Sequence, residues 1–532
     1  MNRREFLKTG AVAAAVANVT ALATAADRNA RAPIVECDVF VYGSTPGGVC
    51  AAVEAARRGC RVILACPKNH PGGMTASGLC TTDAVRREVF GGLVMEFING
   101  VREEYARTLD ANSPDWKLIQ DGWHYEPSVA ERVFDRMLEG EAARLHFWRK
   151  HHLVNVTISR DRITQVELET PKGERLRVAA KTFIDGTYEG DLAAAAKVPY
   201  RVGREARDEH GETFAGIHYM NWKTGQQIQT PDTGEASPAI QAFCARCIFT
   251  TDPAKLVPFT QPATYEQHLS DYEPLLDDFA TGRVNQRSLG TALPQKKFQL
   301  NGSIDQLTSL NCPGISWTWP EAGRHHRERL EKFHVDHAAG YAWFLQNDPR
   351  VPEKIREVWK KSGLHKDEFT DNGHWPWQIY VRQGRRIEGR AIVTQHNFIV
   401  NPKTSRTPPV KHAIAIGEHS FDVHPCHDRR FAVEGFMEGV LWYPKKAFGP
   451  AQPGQVPYGA MLPKKIDNLL VPVALSSTHI AMSVLRMEPL WMTTGQVAGL
   501  AAALAKEKRT DAASLDPDPL PRLLKIKVDP YA

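Results

Sequence analysis

The hydrophobic pattern of this chain has the same texture at both ends: an apolar run breaks into glycine and opens a helix of small residues. The first such unit is Val39-Phe-Val-Tyr42, a turn from Gly43 to Gly48, and a helix with Ala51, Ala52 and Ala55 on one face. A second apolar run, Arg61–Cys66, follows at once, so strand, helix and strand make a βαβ unit. Helices are predicted from Gly91 to Leu109 and from Ser128, with Glu131 three residues on as a capping box and Val129, Val133, Phe134, Met137 and Leu138 at helical spacing. Strands follow around Ile163, Val166 and Leu168, then Leu176–Val178, then Thr182–Asp185, which ends in Gly186, Glu189, Gly190 and Asp191 before an alanine-rich helix. From Pro199 to Tyr458 the periodicity is patchy and His, Arg and aromatic residues are frequent, with one clear helix over Glu321–Gln346. The early texture returns in a buried strand, Asn468–Ala474, a loop to His479, and a small-residue helix over Met492–Ala503. The pattern predicts an α/β fold: a Rossmann-like dinucleotide-binding domain built from both chain ends (34–195 and 459–508), an inserted α+β substrate domain (196–458) and a tail (509–532).

An apolar strand that breaks into glycines and opens a helix places a pyrophosphate on the helix N-terminus. Read as G-x-G-x-x-G from Gly43, the turn has Thr45 in the middle place and Gly48 in the third. The acidic residue expected after the second strand, to accept ribose hydroxyls, is replaced by Cys66, followed by Pro67 and Lys68. The loop His70-Pro-Gly72-Gly73-Met74 allows close backbone approach to a large flat group. The N-terminus of the last small-residue helix adds positive potential to the same crevice.

The start, Asn2-Arg3-Arg4-Glu5-Phe6-Leu7-Lys8, leads into a weakly apolar Ala/Val run to about Ala26, with Ala-x-Ala sites at Ala21–Ala23 and Ala23–Ala25. This is the pattern of a twin-arginine export signal over residues 1–30, which predicts passage through the twin-arginine machinery to the periplasm or beyond. Folding before export suits a protein that acquires a cofactor first. A formal net charge of +5 over 532 residues does not point to nucleic acid. Nine cysteines at irregular spacing are not a disulfide scaffold; core packing accounts for them better. No G-x-S-x-G, Walker loop or H-E-x-x-H is present, so hydrolase and nucleotidase readings have no nucleophile or metal site to rest on.

With these segments in hand, the chain resembles the FAD-dependent oxidoreductase family of secreted bacterial flavoproteins, distantly similar to succinate dehydrogenase and fumarate reductase flavoproteins. The resemblance runs through Gly43–Gly48, Gly72-Gly73-Met74 with Thr82-Asp83, Asp185–Asp191, Trp319–Ala322, Asp371–Pro376, Tyr380–Arg386 and Asn468–Ala503. It implies FAD, bound without a covalent link. The pyrophosphate falls to Gly43, Thr45, Pro46, Gly47 and Gly48, and the flavin side to Gly72, Gly73 and Met74. Asp185, Gly186, Asp191, Ser477, Arg486, Gly495 and Gln496 complete the implied cofactor site. Family members carry Glu where this chain has Cys66, which leaves the ribose to backbone, Lys68 or water.

For chemistry, His424, His479 and His374 are side chains able to take a proton near neutral pH. His424 is the first choice and His479 the second; a structural hydrogen bond or flavin contact is the other reading of His479, and ordering of a turn that of His374. Arg382, Arg385 and Arg386 form a guanidinium run; if helical, Arg382 and Arg386 share a face and can grip a carboxylate, the alternative being salt bridges to Glu388 or a neighbouring domain. Trp375, Trp377 and Tyr380 can stack on a sugar face. His419, His424, Cys426 and His427 cluster, and Cys244-Ala-Arg-Cys247 is half of a thiolate site, but no closed metal shell results; a Cys244–Cys247 disulfide after export is another reading of that pair. The expected reaction is hydride transfer between flavin and a polar organic substrate, a carbohydrate or hydroxy acid. The alternatives are reduction of an unsaturated carboxylic acid and a noncatalytic binding protein with a decayed flavin site. The partner that exchanges electrons with the flavin is open between oxygen, a quinone and a small carrier.

Overall fold

The structure is a computed structural model and describes residues 33–221, 226–227, 233–282, 289–304, 308–427, 436–442 and 451–531. The twin-arginine segment lies outside the described residues. The chain begins with β1 (Ile34–Glu36), β2 (Val39–Tyr42), α1 (Pro46–Arg57) and β3 (Val62–Ala65). Helices α2 (Gly92–Ala106) and α3 (Pro127–Glu139) lead to β4 (Leu145–Trp148), the meander β5 (His152–Ser159), β6 (Arg162–Glu169) and β7 (Arg175–Ala179), and then β8 (Thr182–Asp185). In the inserted segment, β9 (Cys247–Thr250), β10 (Leu256–Val257), β11 (Thr291–Leu293), β12 (Lys297–Leu300) and β13 (Gly363–His365) form an antiparallel sheet, with α4 (Arg324–Asn347) beside it in sequence. The chain closes with β14 (Leu469–Leu470), α5 (His479–Leu485) and α6 (Glu488–Lys508).

The central sheet has the order β14-β8-β2-β3-β4, every pair parallel. Tyr42 lies level with Ala65 on one side and Asp185 on the other, so both chain ends meet in one sheet. Both faces are covered, which is why the strands are apolar throughout. Val39 and Val41 belong to the core that holds the alanines of α1, while Phe40 and Tyr42 pack with Val156, Val166, Leu168 and Val178 of the meander. This is the α/β, Rossmann-like architecture read from the pattern, with an inserted sheet-and-helix segment.

Local departures have physical causes. The α3 N-cap is Glu126, and Ser128 forms no capping box: its N–H and hydroxyl both donate to Glu368, at 3.1 and 2.8 Å. Only Leu469 and Leu470 of the predicted strand Asn468–Ala474 pair with β8, while Asn468 spends its side chain on Ile163 and Lys181. Arg382 and Arg386 do not share a helical face; Arg386–Ile387 is a short strand and Arg382 precedes it in irregular backbone. All nine cysteines are buried free thiols, Cys244 and Cys247 among them, so the C-x-x-C pair is not a disulfide.

Candidate active site

The site begins where β2 ends. Gly43 has φ +100°, and a Cβ there would come within 2.7 Å of the Gly186 carbonyl carbon. The chain then turns into α1, whose N-cap is Thr45 with Pro46 in the first turn. Thr45 Oγ1 accepts from Gly48 N at 3.2 Å and donates to Gly186 O at 2.6 Å, which locks the helix end against β8. Pro46 has no N–H, and Gly48 N and Val49 N both bond Thr45, so the N–H groups of Thr45 and Gly47 are the ones left without an acceptor in the helix, which makes this end an anion cradle. α6 begins beside it: a Cβ on Gly47 would come within 2.8 Å of Trp491 O, and one on Gly495 would collide with the Gly47 carbonyl. Two parallel helices therefore bring their positive ends to the same edge of the sheet.

A cleft of about 1390 Å³ opens over that edge. Of the residues singled out for the cofactor, Gly43, Thr45, Cys66, Pro67, Lys68, Gly73 and Asp191 form its wall. The others stand behind it. Gly48 and Gly186 pack on Gly43, Gly72 on Phe134, and Gly495 on Gly47. Met74 N donates to Tyr188 OH at 2.9 Å. Asp185 accepts from Thr187 and Ala193 N, and burial raises its pKa to about 6. Gln496 bridges Leu93 N and Glu54. Ser477 O accepts from Arg386 Nε at 2.9 Å. Sequence reasoning missed Tyr188, whose hydroxyl donates to Glu488 at 2.6 Å, and Arg327, which grips Asp191 with two nitrogens at 2.6 and 2.9 Å. No local signal exposes either, because both partners lie far away in sequence.

Trp375, Pro376, Trp377, Gln378 and Ile379 continue the wall. The next residue, Tyr380, carries three guanidinium groups over its ring, from Arg382 at 4.5 Å, Arg486 at 5.4 Å and Arg246 at 5.5 Å. All four side chains are buried. Arg486 binds Asp422 at 2.6 Å and Tyr380 OH at 2.6 Å; Arg382 binds Ala242 O and Asn301; Arg246 binds Gln299 at 3.1 Å. Nε of each guanidinium, and Nη1 of Arg246, have no hydrogen-bond partner among the described residues. His424 lies in the same cluster, its Nδ1 2.9 Å from the Asn311 amide nitrogen and its Nε2 3.7 Å from Asp422 Oδ1. Burial, with the charges of Arg382, Arg486 and Arg246, drives its pKa well below the ordinary value. His424 is therefore neutral at pH 7, and the Asn311 donor puts its ring proton on Nε2.

The structure separates the other candidates from this cluster. Arg386 is spent on Glu205 at 2.6 Å, Gly203 O and Ser477 O. His479 pairs with Gln383 at 2.8 Å, and its backbone N–H donates to Glu205. Arg385 bonds Asp191 at 2.9 Å on the cleft wall. His374 has φ +67° and bonds Glu368 O, ordering its turn. His427 packs edge-on against Trp317, and His419 Nδ1 lies 2.9 Å from Ser420 O.

A parallel sheet with a glycine turn at a capped helix end and a long cleft beyond it defines a dinucleotide-binding enzyme of α/β type. Residues 38–524 match the family FAD dependent oxidoreductase, and the chain belongs to it: it is an FAD-dependent oxidoreductase, and FAD is its cofactor. The residues present fit that group, since glycines at 43 and 73 keep the cleft wall free of side chains where a Cβ would meet Gly186 or Tyr188. No curated protein matches the chain. Among solved structures it is similar to a flavin-dependent brominase (9% identity, 92% of this chain and 83% of that one, TM-score 0.37). It is also similar to a geranylgeranyl bacteriochlorophyll reductase-like protein from Thermoplasma acidophilum (11%, 93% and 91%, 0.33). A third is L-proline dehydrogenase from P. horikoshii (12%, 33% and 25%, 0.20), of whose length the chain spans only a quarter.

Proposed function

We propose that this enzyme oxidises a carbohydrate-type hydroxy acid, using the Tyr380 cluster to hold the acid. The observation that carries the reading is the set of three buried guanidiniums on one ring, each with an N–H that no described residue takes, beside a histidine held neutral. Asp422 is the cluster's own carboxylate and engages Arg486. A substrate carboxylate supplies the further negative charge that Arg382 and Arg246 lack. The cofactor supplies the acceptor for the hydride that leaves the substrate carbon. The hydroxyl proton goes to Asp422 Oδ1, which lies 3.7 Å from His424 Nε2, a gap that one hydroxyl spans by accepting from the Nε2–H of His424 and donating to Asp422. Trp375 and Trp377 on the cleft wall offer rings for a sugar face.

The test is an anaerobic screen that follows flavin bleaching with sugars, uronic acids and hydroxy acids. Bleaching is expected with acids and not with the matching neutral sugars. Arg382→Met is expected to raise KM by roughly a hundredfold, and His424→Gln to lower kcat by a factor on the order of 10². Oxidation of pre-reduced enzyme by an unsaturated acid, with no bleaching by any alcohol, sinks the reading in favour of a reductase.

We also propose that the enzyme is exported by the twin-arginine route and exchanges electrons with a carrier outside the cytoplasm, on the strength of Arg3-Arg4 and the weakly apolar run after them. Replacing both arginines by lysine is expected to leave the protein in the cytoplasmic fraction; unchanged recovery from the periplasm refutes this.

A further inference from the structure

The position after β3, where a carboxylate would accept the adenosine-ribose hydroxyls of FAD, holds Cys66. Its surroundings do not compensate. Cys66 Sγ is buried, accepts from Ser44 Oγ at 2.9 Å and lies 3.3 Å from Lys68 N, so the two nearest donors are turned inward to the sulfur. Burial raises the thiol pKa, and a neutral thiol offers none of a carboxylate's strong acceptors.

A carboxylate does reach this corner from elsewhere. Lys68, two residues beyond Cys66, forms an ion pair through Nζ with Glu331 Oε1 of α4, and Cys66, Lys68 and Glu331 all line the same cleft. We infer that Glu331, delivered by the inserted segment, is the acid that binds the adenosine-ribose hydroxyls of FAD in this enzyme. The ion pair uses one oxygen and fixes the side chain at the end of β3. The second oxygen retains its lone pairs for a ribose hydroxyl. Of the other acids lining the cleft, Glu328 spends its two oxygens on Arg324 and His325, Glu169 on Arg324 and Arg175, Asp336 on Lys332 and Asp191 on Arg327, while Asp371 pairs with His70. The function normally built into the βαβ unit is thereby moved to a helix that begins 258 positions after Cys66 (Arg324 minus Cys66). Cofactor binding then also anchors the inserted segment.

The test compares FAD with an FAD whose adenosine ribose is 2′-deoxy. Release from the holoenzyme and rebinding to the deflavinated full chain are followed by flavin fluorescence. Glu331→Gln is expected to weaken FAD by roughly ten- to hundredfold, while Glu357→Gln, an exposed acid outside the cleft, leaves it unchanged. The deoxy cofactor is expected to bind wild type as weakly as FAD binds Glu331→Gln, and to lose nothing more in that variant. Restoration of tight FAD binding by Cys66→Glu in the Glu331→Gln background supports the same assignment. Unchanged FAD affinity in Glu331→Gln overturns it. So does an equal loss for both cofactors, which reduces Glu331 to a partner of Lys68. Equal binding of both cofactors to the wild-type protein overturns it without any variant.

Discussion

Glu488 sits in the first turn of α6 with its side chain buried, taking a hydrogen bond from Tyr188 OH while that hydroxyl accepts from Met74 N. Its second oxygen has no partner among the described residues. Burial, opposed only by the Tyr188 bond, raises its pKa from 4.5 to about 8, so it is uncharged at pH 7. A neutral acid leaves the positive end of α6 uncompensated beside the cleft that Tyr188 lines. The stability consequence has a definite sign. Between pH 4.5 and 8 the folded chain keeps a proton that the unfolded chain has lost, so this group costs progressively more as pH rises through that window. Glu488→Gln is expected to raise the thermal midpoint relative to wild type by an amount that grows from pH 5 to pH 8, up to roughly 4 kcal/mol of stability. A midpoint difference that is flat over this range would show that Glu488 is already ionised.

Among elements, α1 and α6 decide how close the two chain ends can come. Gly495 meets Gly47 and Gly499 meets Ala51, so the helices touch through backbone rather than side chains. Gly495→Ala is expected to force them apart, destabilise the protein by about 1–3 kcal/mol or more, and release FAD at lower temperature. Glu103→Ala, at an exposed position of α2 outside that contact, is the control and is expected to leave both midpoints in place. The contrast also marks what was legible in the sequence. The β2–α1–β3 unit and the small-residue face of α6 could be read because strand, turn and helix are local and their glycines are adjacent. The Ser128 capping box could not, because Glu368, 240 positions on, takes both of its donors. The Tyr380 cluster was half legible: Arg382 and His424 stood out as reactive types, while Arg246, Asn311 and Asp422 join only once the chain is folded. The missing acid at Cys66 was plain; the acid that stands near it was not.

At the scale of the whole molecule, the first segment and the inserted segment are fastened by a buried charge triad. Lys297 of β12 lies 2.6 Å from both Glu126, before α3, and Glu368, after β13. Tyr105 OH donates to the second oxygen of Glu126 at 2.7 Å, and Ser128 satisfies Glu368. Removing only the cation leaves two carboxylates buried without a counter-charge, a loss of about 3–5 kcal/mol. The site also bears on the cleft, since α3 carries Phe134, whose ring closes on Gly72, beside Gly73 of the cleft wall. Lys297→Met is therefore expected to lower the unfolding midpoint and to speed FAD release together. Its pH dependence follows from the carboxylates. Burial already holds the Glu368 carboxyl above its ordinary value against the pull of Lys297, and without that cation it rises further, so the deficit is least at acid pH and grows as pH rises. The measurement is the midpoint of flavin fluorescence release at pH 5 and pH 8 for wild type and variant. A deficit at pH 8 that largely closes at pH 5 identifies the triad as the fastening; an equal deficit at both values assigns the loss to packing alone.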